Sequence, residues 1–244
     1  MGTALSLSRI SGHRGAPSLA PENTLAGFEA ARLAGAKWTE TDVCVLGDGT
    51  PVMFHDDSLD RCTDRSGTIA QLARAELTQV NANRQFPDGP FTPIPTLTEA
   101  LTYAQITGMG LNIELKRHDH VPAAALVEAV IPVLHDHPLE PGQLMLSSFD
   151  FDALRLAGAA MNSVPLAVIA EDLSDAVLAV AHEIKAHSLN LWWETLRRDL
   201  VEQGLDEGFQ VNAWTVNDPA LAPTLFDWGV SCVITDRPQD FEAL

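Results

Sequence analysis

The 244-residue chain is short of positive charge. Lys and Arg together number 15 against 33 Asp and Glu, for a formal net charge of −18 and a pI near 4.6. A surface this acidic repels nucleic-acid phosphates and anionic headgroups at long range, so nucleic acid is not expected as a partner. An anionic small molecule would need a locally positive site, most simply a cation beside one or two basic side chains. Cysteine is scarce as well. Cys44, Cys62 and Cys232 are odd in number and form no CxxC pair, which excludes a disulfide framework and points to a reducing, cytoplasmic setting. No apolar run approaches the roughly 18 residues of a membrane span. The first dozen residues also lack the basic start and apolar run of a secretory signal. Met1-Gly2-Thr3-Ala4-Leu5-Ser6 fits the loose myristoylation pattern, one that short sequences often match by chance. No GxGxxG opens the first helical segment, and there is no internal repeat.

What is present is an alternation of short apolar runs with helix-period segments from end to end. Expected strands are Arg9–His13, Lys37–Val45, Pro51–Phe54, Leu111–Leu115, Gln143–Ser147, Pro165–Ile169, Ser188–Leu191, Gln210–Trp214 and Val230–Ile234. Helices are expected over Asn23–Ala34, Thr96–Thr107, Val121–His135, Phe151–Ala159, Leu173–Ala181, Thr195–Gln203 and Pro219–Trp228. The Gly47-Asp48-Gly49 turn makes Pro51–Phe54 an extension of the second strand, leaving about eight β/α units. Such a chain builds a parallel sheet flanked by helices, open or closed. Polar residues recurring at several strand ends favour an α/β, (β/α)8 TIM barrel. The whole chain, 1–244, reads as a single domain. Residues 58–95 are too long and too irregular for a simple βα loop, and form an expected insertion subdomain over the barrel mouth, between the second strand and second helix.

Four clusters carry chemistry. His13-Arg14-Gly15 ends the first strand and precedes Pro21-Glu22-Asn23-Thr24. An imidazole there can move a proton near neutral pH and a guanidinium can fork onto a phosphate; a turn with a surface His and a helix cap at Asn23 or Thr24 is the alternative. In Trp38-Thr39-Glu40-Thr41-Asp42, the period of two puts Glu40 and Asp42 on one face. Facing inward, two such carboxylates call for a hard divalent cation; facing outward, they form a solvated edge. His55, in Phe54-His55-Asp56-Asp57, would place a second imidazole at the same end, unless it is an ordinary core or loop residue. In Leu111-Asn112-Ile113-Glu114-Leu115-Lys116, Glu114 and Lys116 share a face. Glu114 could complete an all-oxygen site with Glu40 and Asp42, while Lys116 could neutralise a phosphate; a structural Glu114–Lys116 ion pair is the rival. Trp192-Trp193 and Trp214 are candidates to line the mouth.

Taken in order, these segments resemble the signature of glycerophosphodiester phosphodiesterases. So do Asp48-Gly49 with Val52 to Asp56, Ser147-Ser148-Phe149, Asn212 to Asn217, and Gly229-Val230 with Ile234 to Pro238. Nearly the whole chain is covered. The resemblance implies a TIM barrel, one divalent cation (Mg2+ or Ca2+) held by Glu40, Asp42 and Glu114, and catalytic histidines at His13 and His55. It further implies phosphate contacts from Arg14 and Lys116, with Glu22 near the metal site, and matches 58–95 to the family's insertion. Two departures stand out: Trp38 sits where a small or acidic residue is usual, and Ser231-Cys232 replaces a commoner Asp-Gly.

The expected substrate is a small phosphodiester such as glycerophosphocholine or glycerophosphoethanolamine, released as sn-glycerol 3-phosphate and an alcohol. Rival readings are a lysophospholipase D-like activity on a longer lipid, a silent barrel that binds glycerophosphodiesters, and a lyase or Schiff-base enzyme using Lys116. The oligomeric state, including a homo-oligomer, is left open.

Overall fold

The computed structural model describes residues 8–241; the myristoylation-like pattern at Met1–Ser6 lies outside them. Eight parallel strands close on themselves: β1 (Ile10–His13), β2 (Trp38–Val45), β4 (Gly110–Leu115), β5 (Leu144–Ser148), β6 (Leu166–Ala170), β7 (Ser188–Trp192), β8 (Gln210–Trp214) and β9 (Cys232–Thr235). Pairing of β1 with both β9 and β2 completes the barrel. The short β3 (Pro51–Met53) runs antiparallel beside β2 as its hairpin extension.

Helices α1 (Leu25–Leu33), α2 (Leu97–Thr107), α3 (Ala123–Asp136), α4 (Phe151–Ala160), α5 (Asp175–Glu183), α6 (Arg198–Asp206) and α7 (Ala222–Trp228) fill the connections. Several start just past a strand end because a side chain accepts from an orphan backbone N–H of the first turn. Thr24 Oγ1 serves Gly27, Thr96 Oγ1 serves Glu99 and Asp150 Oδ1 serves Ala153. Two helices begin three residues later than the sequence pattern implies. Thr195 Oγ1 donates to the Trp192 carbonyl at 2.9 Å and holds a turn ahead of α6. Asp218 Oδ1 accepts from Ala220 N at 2.9 Å, keeping Pro219–Leu221 out of α7.

Strand alternation sorts side chains to two faces. Outward residues such as Ile113, Leu115, Leu146, Val168, Leu189 and Val211 are buried against the helices in two apolar clusters. Inside the barrel, Trp38, Met145, Ala167, Cys232 and Ile234 form a small apolar floor. Of the residues that depart from the resembled pattern, Trp38 and Cys232 lie in this floor and not among the polar strand ends. Trp38 pairs in register with Gly110 on β4, where an added Cβ would sit 2.4 Å from the indole. Gly110→Ala should therefore destabilise the fold by about 1–3 kcal/mol through overpacking. Urea denaturation would show this as a lower midpoint at unchanged slope, and an unshifted midpoint would contradict the packing argument.

Residues 58–95 contain only two 3-10 turns, Ile69–Gln71 and Arg74–Gln79. They nonetheless bury a core of their own. Leu59, Cys62, Ile69, Leu72, Leu77, Val80, Ala82 and Ile94 pack on Cys44, Leu46, Val52 and Phe54 of the β2–β3 hairpin. The segment is thus fixed to the strand pair that ends at His55. All three cysteines are buried free thiols. No helix among the described residues is long and apolar enough to cross a membrane.

Candidate active site

At the end of β1 the chain turns through Arg14 (φ 53°) and Gly15 (φ 93°). A Cβ on Gly15 would come within 2.6 Å of the Gly27 backbone, so this turn is closed to other residues. Arg14 occupies the left-handed region at a cost of about 1–2 kcal/mol, and its backbone is pinned on both sides. Its N–H donates to Glu40 Oε2 at 3.2 Å, and its carbonyl accepts from Asn23 N at 2.9 Å. The turn therefore aims the Arg14 side chain along the strand ends.

Glu40 and Asp42 on β2 and Glu114 on β4 do face inward. Asp42 is opposite Glu114 in the parallel register, all three are buried, and one oxygen from each lies within 4.8 Å of the others. Three carboxylates this close are in electrostatic conflict. Burial, then Asp42 and Glu114, push the Glu40 carboxyl well above its ordinary range. Burial and Asp42 likewise raise Glu114, against the pull of Lys116, whose Nζ is 3.0 Å from its Oε1. Asp42 goes the other way: burial opposes its ionisation, but Arg14 Nε at 3.2 Å and Asn23 Nδ2 at 2.8 Å outweigh that and hold it ionised. Its second oxygen, Oδ1, is buried without a hydrogen-bond partner. An orphaned carboxylate oxygen beside two carboxyls pushed toward neutrality is a donor set that a hard divalent cation fits. The residues suit the metal.

Two imidazoles stand beside this cluster. His13 Nδ1 is 2.7 Å from Asp236 Oδ1, and His55 Nδ1 is 2.6 Å from Asp56 Oδ1. Both aspartates stay ionised although burial works against them. His13 and Asn217 hold Asp236 below its ordinary range, and Arg61 and His55 hold Asp56 down at about 2. An ionised carboxylate only accepts, so each Nδ1 carries a hydrogen and Nε2 is left as the nitrogen that can exchange a proton. Burial shifts the His55 imidazole below its ordinary range, favouring the neutral ring.

His13, Arg14, Glu40, His55, Glu114, Lys116 and Trp214 together line one cavity of about 250 Å3. Its far wall is apolar: Phe149, Ile169, Trp214 and Ile234. Phe149 meets Trp214 edge-on with centroids 5.5 Å apart, and Lys116 Nζ lies 5.6 Å from the Phe149 ring. Glu22 is placed differently. Its carboxylate takes Arg14 at 2.9 Å and Arg61 at 2.6 and 2.8 Å, so it faces the arginines and not this cavity. Of the other tryptophans proposed for the mouth, Trp193 packs into the outer apolar core and neither it nor Trp192 lines the cavity.

Several site residues escape sequence reasoning. Asp236 is 223 positions from His13, and no local pattern pairs them. Arg61 links Glu22 to Asp56 from within the insertion. Asn23, which reads as a helix cap, leaves capping to Thr24. With φ 54° it turns its amide onto β2, donating to Asp42 Oδ2 and accepting from Thr41 Oγ1 and Asp42 N. Phe149, Asp56 and Asp236 lie inside segments that resemble the family's, and that is their only sequence signal.

The fold and site define a (β/α)8-barrel enzyme of the phosphoric diester hydrolase class. Residues 13–240 match the model of the glycerophosphoryl diester phosphodiesterase family, and the chain belongs to that family. A glycerophosphodiester phosphodiesterase of Bacillus subtilis (strain 168) is 29% identical over 262 residues, covering 98% of this chain and 88% of that protein. An Oleispira antarctica phosphodiesterase, solved in complex with the product sn-glycerol-3-phosphate, superposes with a TM-score of 0.92 at 34% identity, over 97% of this chain and 96% of that one. A glycerophosphodiester phosphodiesterase from Agrobacterium tumefaciens superposes at 0.76 with 26% identity, over 98% and 100%.

Proposed function

We propose that the chain is a single barrel domain, 58–95 being its insertion, that hydrolyses small glycerophosphodiesters such as glycerophosphocholine and glycerophosphoethanolamine. The products are sn-glycerol 3-phosphate and the free alcohol. The observation that carries this reading is a cluster of three buried carboxylates, two of which (Glu40 and Glu114) line one cavity together with two carboxylate-backed imidazoles. The product bound by the Oleispira antarctica neighbour supports it.

Glu40, Asp42 and Glu114 would hold one divalent cation, Mg2+ or Ca2+. Such an ion supplies charge stabilisation worth several kcal/mol at a phosphoryl oxygen. The chain's own groups do the rest. Arg14 and Lys116 take the remaining phosphate charge, Arg14 kept cationic by Asp42, Glu22 and Glu40 despite its burial. One imidazole Nε2 removes the proton from the attacking hydroxyl, which is water or the substrate's own glycerol hydroxyl, the latter giving a cyclic phosphate that water then opens to sn-glycerol 3-phosphate. The other ring, protonated, hands its Nε2 hydrogen to the departing alcohol. Asp236 and Asp56 fix both rings for these transfers. Trp214 and Phe149 border the space left for the headgroup.

The cavity, at about 250 Å3, lies below the roughly 300–1,000 Å3 of sites for drug-sized ligands, which favours a small headgroup over a long acyl chain. The three free thiols accord with a cytoplasmic setting. Purified protein should release glycerol 3-phosphate from glycerophosphocholine, stop when EDTA is added, and recover with excess Mg2+ or Ca2+. Release that ignores EDTA, or activity confined to lysophospholipid micelles, would overturn the assignment.

A further inference from the structure

A second group of metal-ligating side chains lies outside this carboxylate cluster. Asp57 follows the β3 extension at the start of the insertion, and His118 and His120 lie in the loop between β4 and α3. One ligand atom from each falls within 4.8 Å of the others. His120 Nδ1 is 3.3 Å and His118 Nδ1 3.9 Å from Asp57 Oδ1, and the two rings lie nearly parallel with centroids 5.9 Å apart.

The His118 ring is the informative one. Its side chain is only 7% exposed, and its Nε2 lies 3.0 Å from the carbonyl oxygen of His55. A carbonyl can only accept, so Nε2 must be the protonated nitrogen. In the neutral ring Nδ1 is then a bare lone pair, and it is buried with no hydrogen-bond partner. A buried acceptor left unsatisfied costs about 1–3 kcal/mol, and it lies beside the Asp57 carboxylate and the His120 imidazole. Metal-ligating histidines have this same arrangement: one nitrogen donates to a backbone carbonyl, and the other turns its lone pair to the ion.

We infer that Asp57, His118 and His120 form a second metal site, for a divalent transition metal of the Zn2+ type. Two imidazoles and one carboxylate select Zn2+, Co2+ or Ni2+ over Mg2+ or Ca2+, which prefer the all-oxygen set of Glu40, Asp42 and Glu114. His120 and Asp57 are 42% and 51% exposed, so an ion can enter from solvent and keep water in its open positions. Occupancy clamps the residue two positions after His55 to the loop two positions after Lys116. It braces the backbone that carries both groups without touching the cavity.

The test is Co2+ titration of protein saturated with excess Mg2+, which fills the carboxylate site. The wild type should bind one further equivalent of Co2+ with visible d–d absorption typical of nitrogen ligation, displaceable by Zn2+, and should gain thermal stability from Zn2+. The exposed-residue variant His120→Ala, which leaves the fold intact, should lose the absorption and the Zn2+-dependent stabilisation. His118→Gln should do the same. Wild type that binds no Co2+ under Mg2+ saturation, or binding that survives both substitutions unchanged, overturns the site. Glycerophosphodiesterase activity in Mg2+ is a separate readout, so failure here is distinguishable from failure of the catalytic assignment.

Discussion

His55→Ala should lower kcat by about 10²–10⁴-fold, the range for loss of one general acid or base, while thermal unfolding stays close to that of the wild type. The ring is 27% exposed and, among the described residues, its side chain hydrogen-bonds to Asp56 alone, so truncation removes little packing. His13→Ala should fall in the same range for the same reason, since its Nδ1 partner Asp236 remains tied to Asn217 at 2.6 Å. The two losses should be far from additive, because each ring hands on the task that the other begins. Asp56→Asn probes the same claim more finely. The amide can donate to Nδ1, which would move the ring hydrogen to Nε2 and remove the lone pair from the cavity. Steady-state kinetics on glycerophosphocholine measure all of these; near-normal turnover in either alanine variant removes the histidines from the mechanism.

Asp42→Asn should abolish most of the activity by a different route. The amide keeps the shape and its oxygen can still accept from Asn23, but the one carboxylate of the cluster held firmly ionised is gone. Forfeiting several kcal/mol of charge stabilisation corresponds to roughly 10²–10³-fold in rate, at 1.36 kcal/mol per decade. Calcium affinity measured by calorimetry should fall with it. Asp42→Ala is the poorer test, since it would leave Arg14 Nε buried without its partner, a change that destabilises by about 3–5 kcal/mol. Wild-type calcium affinity and rate in Asp42→Asn would remove this residue from the ligand set.

The barrel was legible because its signals are local. Strand runs of period two alternate with helical segments, and each polar strand end falls within a few residues of its motif. Counting alone pairs Glu40 with Asp42 and Glu114 with Lys116, while the meeting of the two pairs depends on the β2–β4 register. What stayed hidden depends on closure of the sheet. Asp236 reaches His13 only because β9 pairs with β1, and Arg61 reaches Glu22 only because the insertion folds back from the hairpin. Asn23 looked like a cap because an Asn before a helix usually is one; its left-handed backbone, invisible in sequence, turns it onto Asp42 instead. Helices start later than the pattern implies where a side chain closes a turn first, as at Thr195 and Asp218. His118 and His120 carried no pattern at all, since their partner Asp57 lies across the gap between two loops.

The central claim, that Glu40, Asp42 and Glu114 close around one hard ion, is tested most directly by a crystal structure of the protein grown in Ca2+. One ion should lie about 2.3–2.6 Å from an oxygen of each of the three side chains, with His13 and His55 flanking it. Calcium bound elsewhere, or these carboxylates turned apart around an ion-free centre, would contradict it.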